Sequence, residues 1–144
     1  MNGARLILNE SPFIDLIKKY CDIHQLNYIQ YDHSKDIDHI RSRIQLFYNA
    51  KIIIGVHSGA LSNMNFAQSN TIIIEIMPFR SESSSLPMTC SMFKPEDIQA
   101  CAGYIIYIQA KLLNHSYWIL PSIVDQQGNI QLNLHRFQNL LKQI

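Results

Sequence analysis

The sequence lacks the long apolar and long charged segments that mark two large classes of protein. No stretch approaches the roughly 20 apolar residues that a membrane-spanning helix needs. The formal net charge is +1 without a long basic run, which argues against nucleic acid as a partner. The first ten residues show no cleavable signal segment. We therefore expect the chain as written in the cytoplasm, or in a secretory lumen if an upstream signal was lost.

Cysteine is scarce as well. The three cysteines, Cys21, Cys90 and Cys101, form neither a CxxC pair nor a zinc-type spacing. A small, odd number of cysteines fits a reducing compartment, where thiols stay free. Histidines other than His57 show no ligand spacing either, so the sequence predicts no metal site.

Three fingerprints of nucleotide binding and catalysis are also missing. The chain has no G-x-G-x-x-G and no G-x-x-x-x-G-K-[ST]. The serine nucleophile elbow is G-x-S-x-G, whereas the string here is Gly55-Val56-His57-Ser58-Gly59, with the serine one place late. A serine hydrolase is therefore disfavoured, and any nucleotide site must be recognised by its geometry.

What the sequence does contain is an alternation of strand-like and helix-like segments. Expected strands cover residues 4–8, 27–31, 52–54 and 72–76, and expected helices cover 11–21, 59–67 and a segment from Ser34 or Asp36 to Phe47. This order indicates an α/β fold with a parallel sheet and helices on both faces. The continuous apolar runs Ile52–Ile54 and Ile72–Ile74 are typical of strands buried on both faces.

The second half of the chain has a weaker pattern. The serine-rich segment Phe79–Lys94 is expected to be a loop beside the ligand crevice. Further expectations are a short helix from Pro95 to Cys101, a strand over Tyr104–Ile108, irregular structure from Asn114 to Ser122, extended chain over Ile119–Val124, a turn at Gly128-Asn129 and a helix over Leu132–Ile144. We therefore predict one domain over residues 1–144, with a core at 4–80, a loop at 79–94 and a C-terminal strand and helices at 95–144.

The segment Lys51–Pro78 carries the strongest functional signal. It predicts a helix whose N-terminus opens at the carboxyl end of a parallel strand. Backbone N–H groups without helical partners and the helix dipole attract anions there, above all phosphates. Small residues at Ser58, Gly59 and Ala60 would let a ligand approach the backbone closely.

Several side chains near this turn could contribute to a site. His57 could donate to a phosphate or sugar oxygen or act as an acid or base, or it could be a turn histidine bonded to a carbonyl. Glu75 could accept hydrogen bonds from ribose hydroxyls at the rim of the sheet, or it could be a surface carboxylate or a cap. Ser58 is expected to cap the helix or bind phosphate, Asn63 to bond locally, and Arg5 either to reach a phosphate or to lie in solvent.

These residues resemble the signature of family 61 glycosyltransferases. The family pattern is an apolar strand, then G-x-H-G-A-G-L-x-N-x-x-F, a spacer, and a strand that ends in E-x-x-P. The chain supplies Gly55, His57, Gly59, Ala60, Leu61, Asn63, Phe66, Glu75 and Pro78. Upstream, the segment from Arg5 to Glu10 resembles the family's R-x-x-x-N-E junction, so that the likeness covers residues 4–80. The chain departs from the pattern at Ser58, where the family has glycine, and at Arg43, where glutamine is usual.

The resemblance implies an enzyme with two Rossmann-like halves, the GT-B architecture, of which this chain is the carboxyl-terminal, donor-binding half. It implies inverting transfer of a sugar from a nucleotide-sugar donor, UDP-linked, to a glycan or glycoconjugate acceptor, without a cofactor or an obligatory metal. Arg5 and the turn would bind the diphosphate, and Glu75 would hold ribose or sugar hydroxyls. The implied donor-binding residues are Arg5, Asn9, Glu10, His57, Ser58, Gly59, Ala60, Leu61, Ser62, Asn63 and Glu75; no catalytic residue is assigned.

The resemblance also implies a missing partner. The family's amino-terminal half, which would carry the acceptor pocket, is expected to lie outside this chain, in cis or in trans. The chain would then be a truncated portion of an enzyme of polysaccharide or glycoconjugate biosynthesis. Two other interpretations stay open: a non-catalytic nucleotide-binding module, or a degenerate scaffold that makes protein contacts.

Overall fold

A four-stranded sheet organises the chain. The computed structural model describes residues 6–32, 40–79 and 104–144. The strands are β1 (Ile52–Val56), β2 (Ile72–Phe79), β3 (Ser116–Val124) and β4 (Ile130–Gln131), in the spatial order β1-β2-β3-β4. The first three strands are parallel, and β4 runs antiparallel to β3. The prediction of a Rossmann-like, mainly parallel sheet is confirmed.

Helices connect the strands and cover the sheet. They are α1 (Glu10–His24), α2 (Ile40–Tyr48), α3 (Ile105–Leu112) and α4 (Leu134–Leu141), with a 3₁₀ helix over Gly59–Phe66 between β1 and β2. None of these helices has the length and apolar character that crossing a bilayer requires. The segment expected to form the α-helix 59–67 is thus helical, but it is wound more tightly as 3₁₀.

The core lies on both faces of β2, because successive strand residues point to opposite sides. On one face, Ile74 packs in a cluster with Phe13 of α1 and Phe137 of α4, whose ring centroids are 4.7 Å apart. On the other face, Ile73 packs with Met64 of the 3₁₀ helix and with residues of α2 and α3. The expected arrangement of helices on both faces is therefore confirmed.

Three predicted elements differ from the structure. The strand expected at 4–8 is reduced, in its described part, to a bridge between Ile7 and Ile130. The segment 27–31 is not a strand, and residues 104–108, also expected to be a strand, begin helix α3 instead. Ile106 and Ala110, four residues apart, are the buried side chains of that helix, so packing on the sheet decides the structure over the β-preference of isoleucine and tyrosine.

The segment expected to be irregular at 114–122 is also different. Most of it belongs to β3, which pairs with β2 from Ser116 opposite Ile72 to Ile123 opposite Phe79. The turn at Gly128-Asn129 and the terminal helix are present, the helix as the shorter α4. Arg5, the loop after Phe79 with the helix expected to Cys101, and the expected helix start at 34–36 lie outside the described residues.

Asn9 fixes the start of α1 to the other end of the chain. Its side-chain nitrogen donates to the Leu132 carbonyl at 2.9 Å, and its side-chain oxygen accepts from the Leu132 N–H at 3.0 Å. The helix therefore begins beside the β4–α4 junction. Asn9 occupies the N-cap position of α1, which begins one residue earlier than the expected helix over 11–21, although the Asn9 side chain makes no capping hydrogen bond.

Candidate functional site

The candidate site lies at the carboxyl end of β1, beside the middle of β2, which continues to Phe79. Gly55 pairs with Glu75 and Val56 with Ile76. The His57 N–H donates to the Ile76 carbonyl at 3.0 Å, which continues the pairing one residue beyond β1. This backbone bond places the His57 side chain beside Glu75.

A buried carboxylate joins side chains that follow or belong to three adjacent strands. Glu75 is fully buried, with 0% of its side chain exposed, while His57 keeps 11% of its side chain exposed. Glu75 Oε1 is bonded to His57 Nδ1, and Glu75 Oε2 accepts a hydrogen bond from the Tyr117 hydroxyl. Glu75 thus lies inside the protein with both oxygens engaged, and not at the solvent-facing rim expected from its place in the sequence.

Both oxygens of the buried Glu75 side chain have hydrogen-bond partners in this cluster. A carboxylate removed from water is costly unless its oxygens are paired. Burial raises the pKa of the Tyr117 hydroxyl, and the hydrogen bond to Glu75 and the charge of Glu75 raise that pKa further. Tyr117 therefore keeps its proton and acts as a donor, which leaves Glu75 as the acceptor for both neighbours.

The turn after His57 is open to solvent. Ser58, Gly59 and Ala60 are exposed, and Ser58 has an extended backbone with φ −167° and ψ 166°. The side chain of Ser58 makes no capping hydrogen bond, so the capping role considered for it is not formed. A Cβ atom added at Gly59 would meet nothing within 4 Å. The start of the 3₁₀ helix is consequently accessible to a ligand.

The residues that follow Ala60 are held in place by packing on β1 and by hydrogen bonds within the turn. Leu61 is buried and packs over Gly55, where an added Cβ would lie 2.9 Å from Leu61 Cδ2. The Leu61 N–H donates to the Ser58 carbonyl at 3.2 Å, and Asn63 Nδ2 donates to the Ala60 carbonyl at 2.9 Å. Ser62 is half-buried. A side chain at Gly55 would therefore press on Leu61, whereas a Cβ at Gly59 would meet no protein atom within 4 Å.

A cleft of about 870 Å³ begins at this turn and runs beside β1, the edge strand of the sheet. Helices α1 and α2 and the segment 25–31 form its walls, and Ser58, Ala60, Leu61 and Glu10 are among its lining residues. A volume of this size is within the usual range for small-molecule sites, about 300–1,000 Å³. The cleft therefore brings Glu10 to the same space as the turn, whereas Asn9 is bound to Leu132.

No cluster of three His, Cys, Asp or Glu side chains suited to a metal ion occurs in residues 6–32, 40–79 and 104–144. Sequence reasoning missed Tyr117. It fell in the segment expected to be irregular, and only the pairing of β3 with β2 brings its hydroxyl to Glu75. Recognition of a strand that begins at Ser116 would have pointed to Tyr117.

Comparison with known families decides the class of the protein. The sequence profile described as Glycosyltransferase 61 matches residues 1–74, just over half of the chain. The chain belongs to the glycosyltransferase 61 family. The family match covers α1, α2, β1 and the 3₁₀ helix and ends at Ile74, one residue before Glu75. A comparison with curated protein sequences finds no match.

Membership of the glycosyltransferase 61 family makes glycosyl transfer the general activity, with a sugar donor and an acceptor as substrates. The His57 turn lies inside the matched region, whereas Tyr117 and the whole of β3 lie outside it.

Proposed function

We propose that this chain is the donor-binding portion of a glycosyltransferase and holds the diphosphate of a nucleotide-sugar, UDP-linked, at the turn from His57 to Asn63. The observation that carries the proposal is the exposed start of a helix at the carboxyl end of β1, next to a histidine fixed by a buried carboxylate. Helix starts of this kind favour anions.

The proposed chemistry needs groups that stabilise a departing diphosphate. When the bond between the sugar and the diphosphate breaks, negative charge develops on the leaving oxygen. Backbone N–H groups at Gly59 and Ala60 and the imidazole of His57 would meet that charge with fixed dipoles and a proton donor. The attacking hydroxyl belongs to the glycan or glycoconjugate acceptor, which we assign to the amino-terminal half of a GT-B enzyme, in cis or in trans.

The nucleoside is proposed to enter the cleft beside β1. Ser58 and Ala60 line the cleft at the turn, so a diphosphate bound there would direct the ribose and base along α1 and α2. Glu10 lines this cleft and is available to a ribose hydroxyl. Glu75 is assigned to holding His57 instead of contacting the ribose, since its side chain has no exposed surface. Arg5 keeps its proposed role at the diphosphate.

The test is a titration of the chain with UDP and with several UDP-sugars, followed by backbone amide shifts. Gly59→Val should abolish saturable shifts at Ser58–Asn63, because a Cβ at this position meets no protein atom within 4 Å and the branched side chain would occupy the ligand's place. Ser69→Val, another exposed position at the far end of the same connection, is the matched control and should bind as the wild type does. An absence of shifts in the wild type up to millimolar ligand would overturn the proposal.

A second candidate is a nucleotide-binding module without catalysis. It is favoured by Ser58, which replaces a glycine of the family pattern. Supplying the amino-terminal half of a family member in trans distinguishes the two. Sugar transfer to a glycan acceptor that depends on this chain would support the transferase, whereas UDP binding without transfer would support the module.

A further inference from the structure

We infer that Tyr117 is a positioning residue that acts through Glu75 to set the orientation of His57 toward the diphosphate. The inference rests on the proposed donor site. Tyr117 belongs to β3, Glu75 to β2, and His57 follows β1, so the three residues form a continuous line of hydrogen bonds across three neighbouring strands. The family match ends before Tyr117.

Tyr117 supplies what a single histidine cannot. A carboxylate has two oxygens, and His57 occupies one of them through Nδ1. With the Tyr117 hydroxyl removed, the second oxygen would be a charged acceptor without a donor among the residues that the structure describes, which is costly, and the carboxylate could rotate. The Tyr117 hydroxyl therefore completes the pairing and fixes the plane of the carboxylate.

Tyr117 is itself held in place. Its ring meets the Tyr107 ring of α3 edge-on, with centroids 5.4 Å apart and an interplanar angle of 63°. Its backbone lies opposite Ile73 in the pairing of β2 with β3. The hydroxyl that reaches Glu75 is consequently positioned by the sheet and by α3 together.

This arrangement determines which atom of His57 meets the ligand. A carboxylate is only an acceptor, so Nδ1 carries a proton and Nε2 is the nitrogen left for the ligand. The diphosphate of a bound nucleotide-sugar is also an acceptor. When it is bound, His57 therefore has a proton on both Nδ1 and Nε2. Glu75 then offsets the positive charge of the ring, and the ring directs its Nε2–H at the phosphate.

The experiment compares Tyr117→Phe with Tyr107→Phe, which removes a hydroxyl from the neighbouring ring that makes no bond to Glu75. UDP affinity is measured by calorimetry, and the ¹⁵N spectrum of the His57 ring reports the tautomer and the exchange of the Nδ1 proton. Tyr117→Phe should weaken UDP binding about tenfold and accelerate that exchange, because a hydrogen bond to a charged group is lost. Tyr107→Phe should change neither readout.

A double-variant cycle separates positioning from general stability. In a Glu75→Leu background, the side-chain oxygens through which Tyr117 acts are gone, so Tyr117→Phe should add little further loss of UDP affinity. A full tenfold loss in that background would overturn the inference, as would Tyr117→Phe that binds UDP normally and keeps the wild-type His57 spectrum. Failure of the wild type to bind any nucleotide would instead overturn the proposed donor site, and this inference with it.

Discussion

At the scale of single residues, the main finding is the contrast between Glu75 and Gly59. From its place in the sequence, Glu75 was expected to be a carboxylate at the rim of the sheet. In the structure it is fully buried, and its two oxygens are bonded to His57 and Tyr117. A Cβ atom added at Gly59, one of the small residues of the turn, would meet nothing within 4 Å. The chemistry of the site is therefore built from a buried support and an exposed turn.

The raised pKa of Tyr117 predicts how stability depends on alkaline pH. In the folded protein, burial raises the pKa of Tyr117 most, and the hydrogen bond to Glu75 and the charge of Glu75 raise it further. In the unfolded chain, Tyr117 releases its proton near the ordinary tyrosine pKa of about 10. The stabilisation is fully present below that pH and is lost as the pH rises through and beyond it.

Chemical denaturation at a series of pH values checks this prediction. The free energy of unfolding of the wild type should fall more steeply above about pH 10 than that of Tyr117→Phe, which lacks the phenol at this buried position. Tyr107→Phe, which loses a more exposed phenol, should follow the wild type. Parallel curves for the wild type and Tyr117→Phe would contradict the assignment of the shift to this residue.

At the scale of elements, the connection from β1 to β2 depends on close packing at its base. The 3₁₀ helix inserts Leu61 and Met64 into the core, and Leu61 lies directly over the strand at Gly55. The site is thus attached to the sheet by apolar contacts, while its outer surface at residues 58–60 remains free. A turn that binds a ligand without rearranging needs both features: packing that fixes its backbone and an exposed surface for the ligand.

The two glycines of this connection should respond differently to the same substitution. Gly55→Ala places a methyl group 2.9 Å from Leu61 Cδ2, so we expect overpacking that lowers the free energy of unfolding by about 1–3 kcal/mol. Gly59→Ala meets no atom within 4 Å and should leave stability nearly unchanged. Urea denaturation of the pair measures the difference, and equal stability of the two variants would show that Leu61 moves aside at no cost.

At the scale of the whole molecule, one central strand is shared by two packed faces. Residues of β2 alternate between the cluster with Phe137 and the cluster with Met64. Because β2 belongs to both clusters, the loss of either one exposes the same strand. We therefore expect the described elements to unfold together in one transition.

A substitution at the centre of one face tests this coupling. Phe137 is fully buried, so Phe137→Ala should cost about 3–5 kcal/mol of the free energy of unfolding. The single tryptophan, Trp118 on β3, packs against the same cluster, and its fluorescence should lose its native signal together with far-UV circular dichroism. Phe66→Ala removes a ring that is exposed and should cost much less. Separate fluorescence and circular dichroism transitions would indicate that the faces unfold independently.

The sequence by itself determined the central unit β1–3₁₀ helix–β2 and the place of the exposed turn. Apolar runs of isoleucine with small residues between them specify buried parallel strands and a tight connection, and both depend on local pattern. The family signature around His57 lies in the same segment and was readable for the same reason.

Only the tertiary structure decided the rest. Residues 104–108 have the composition of a strand but form α3, because burial of Ile106 and Ala110 against the sheet outweighs local preference. The extent of β3, the burial of Glu75 and the contact with Tyr117 depend on pairing between segments some forty residues apart in the chain. A local pattern contains no information on its partner across the sheet, so the support that holds His57 appears only when the strands are assembled.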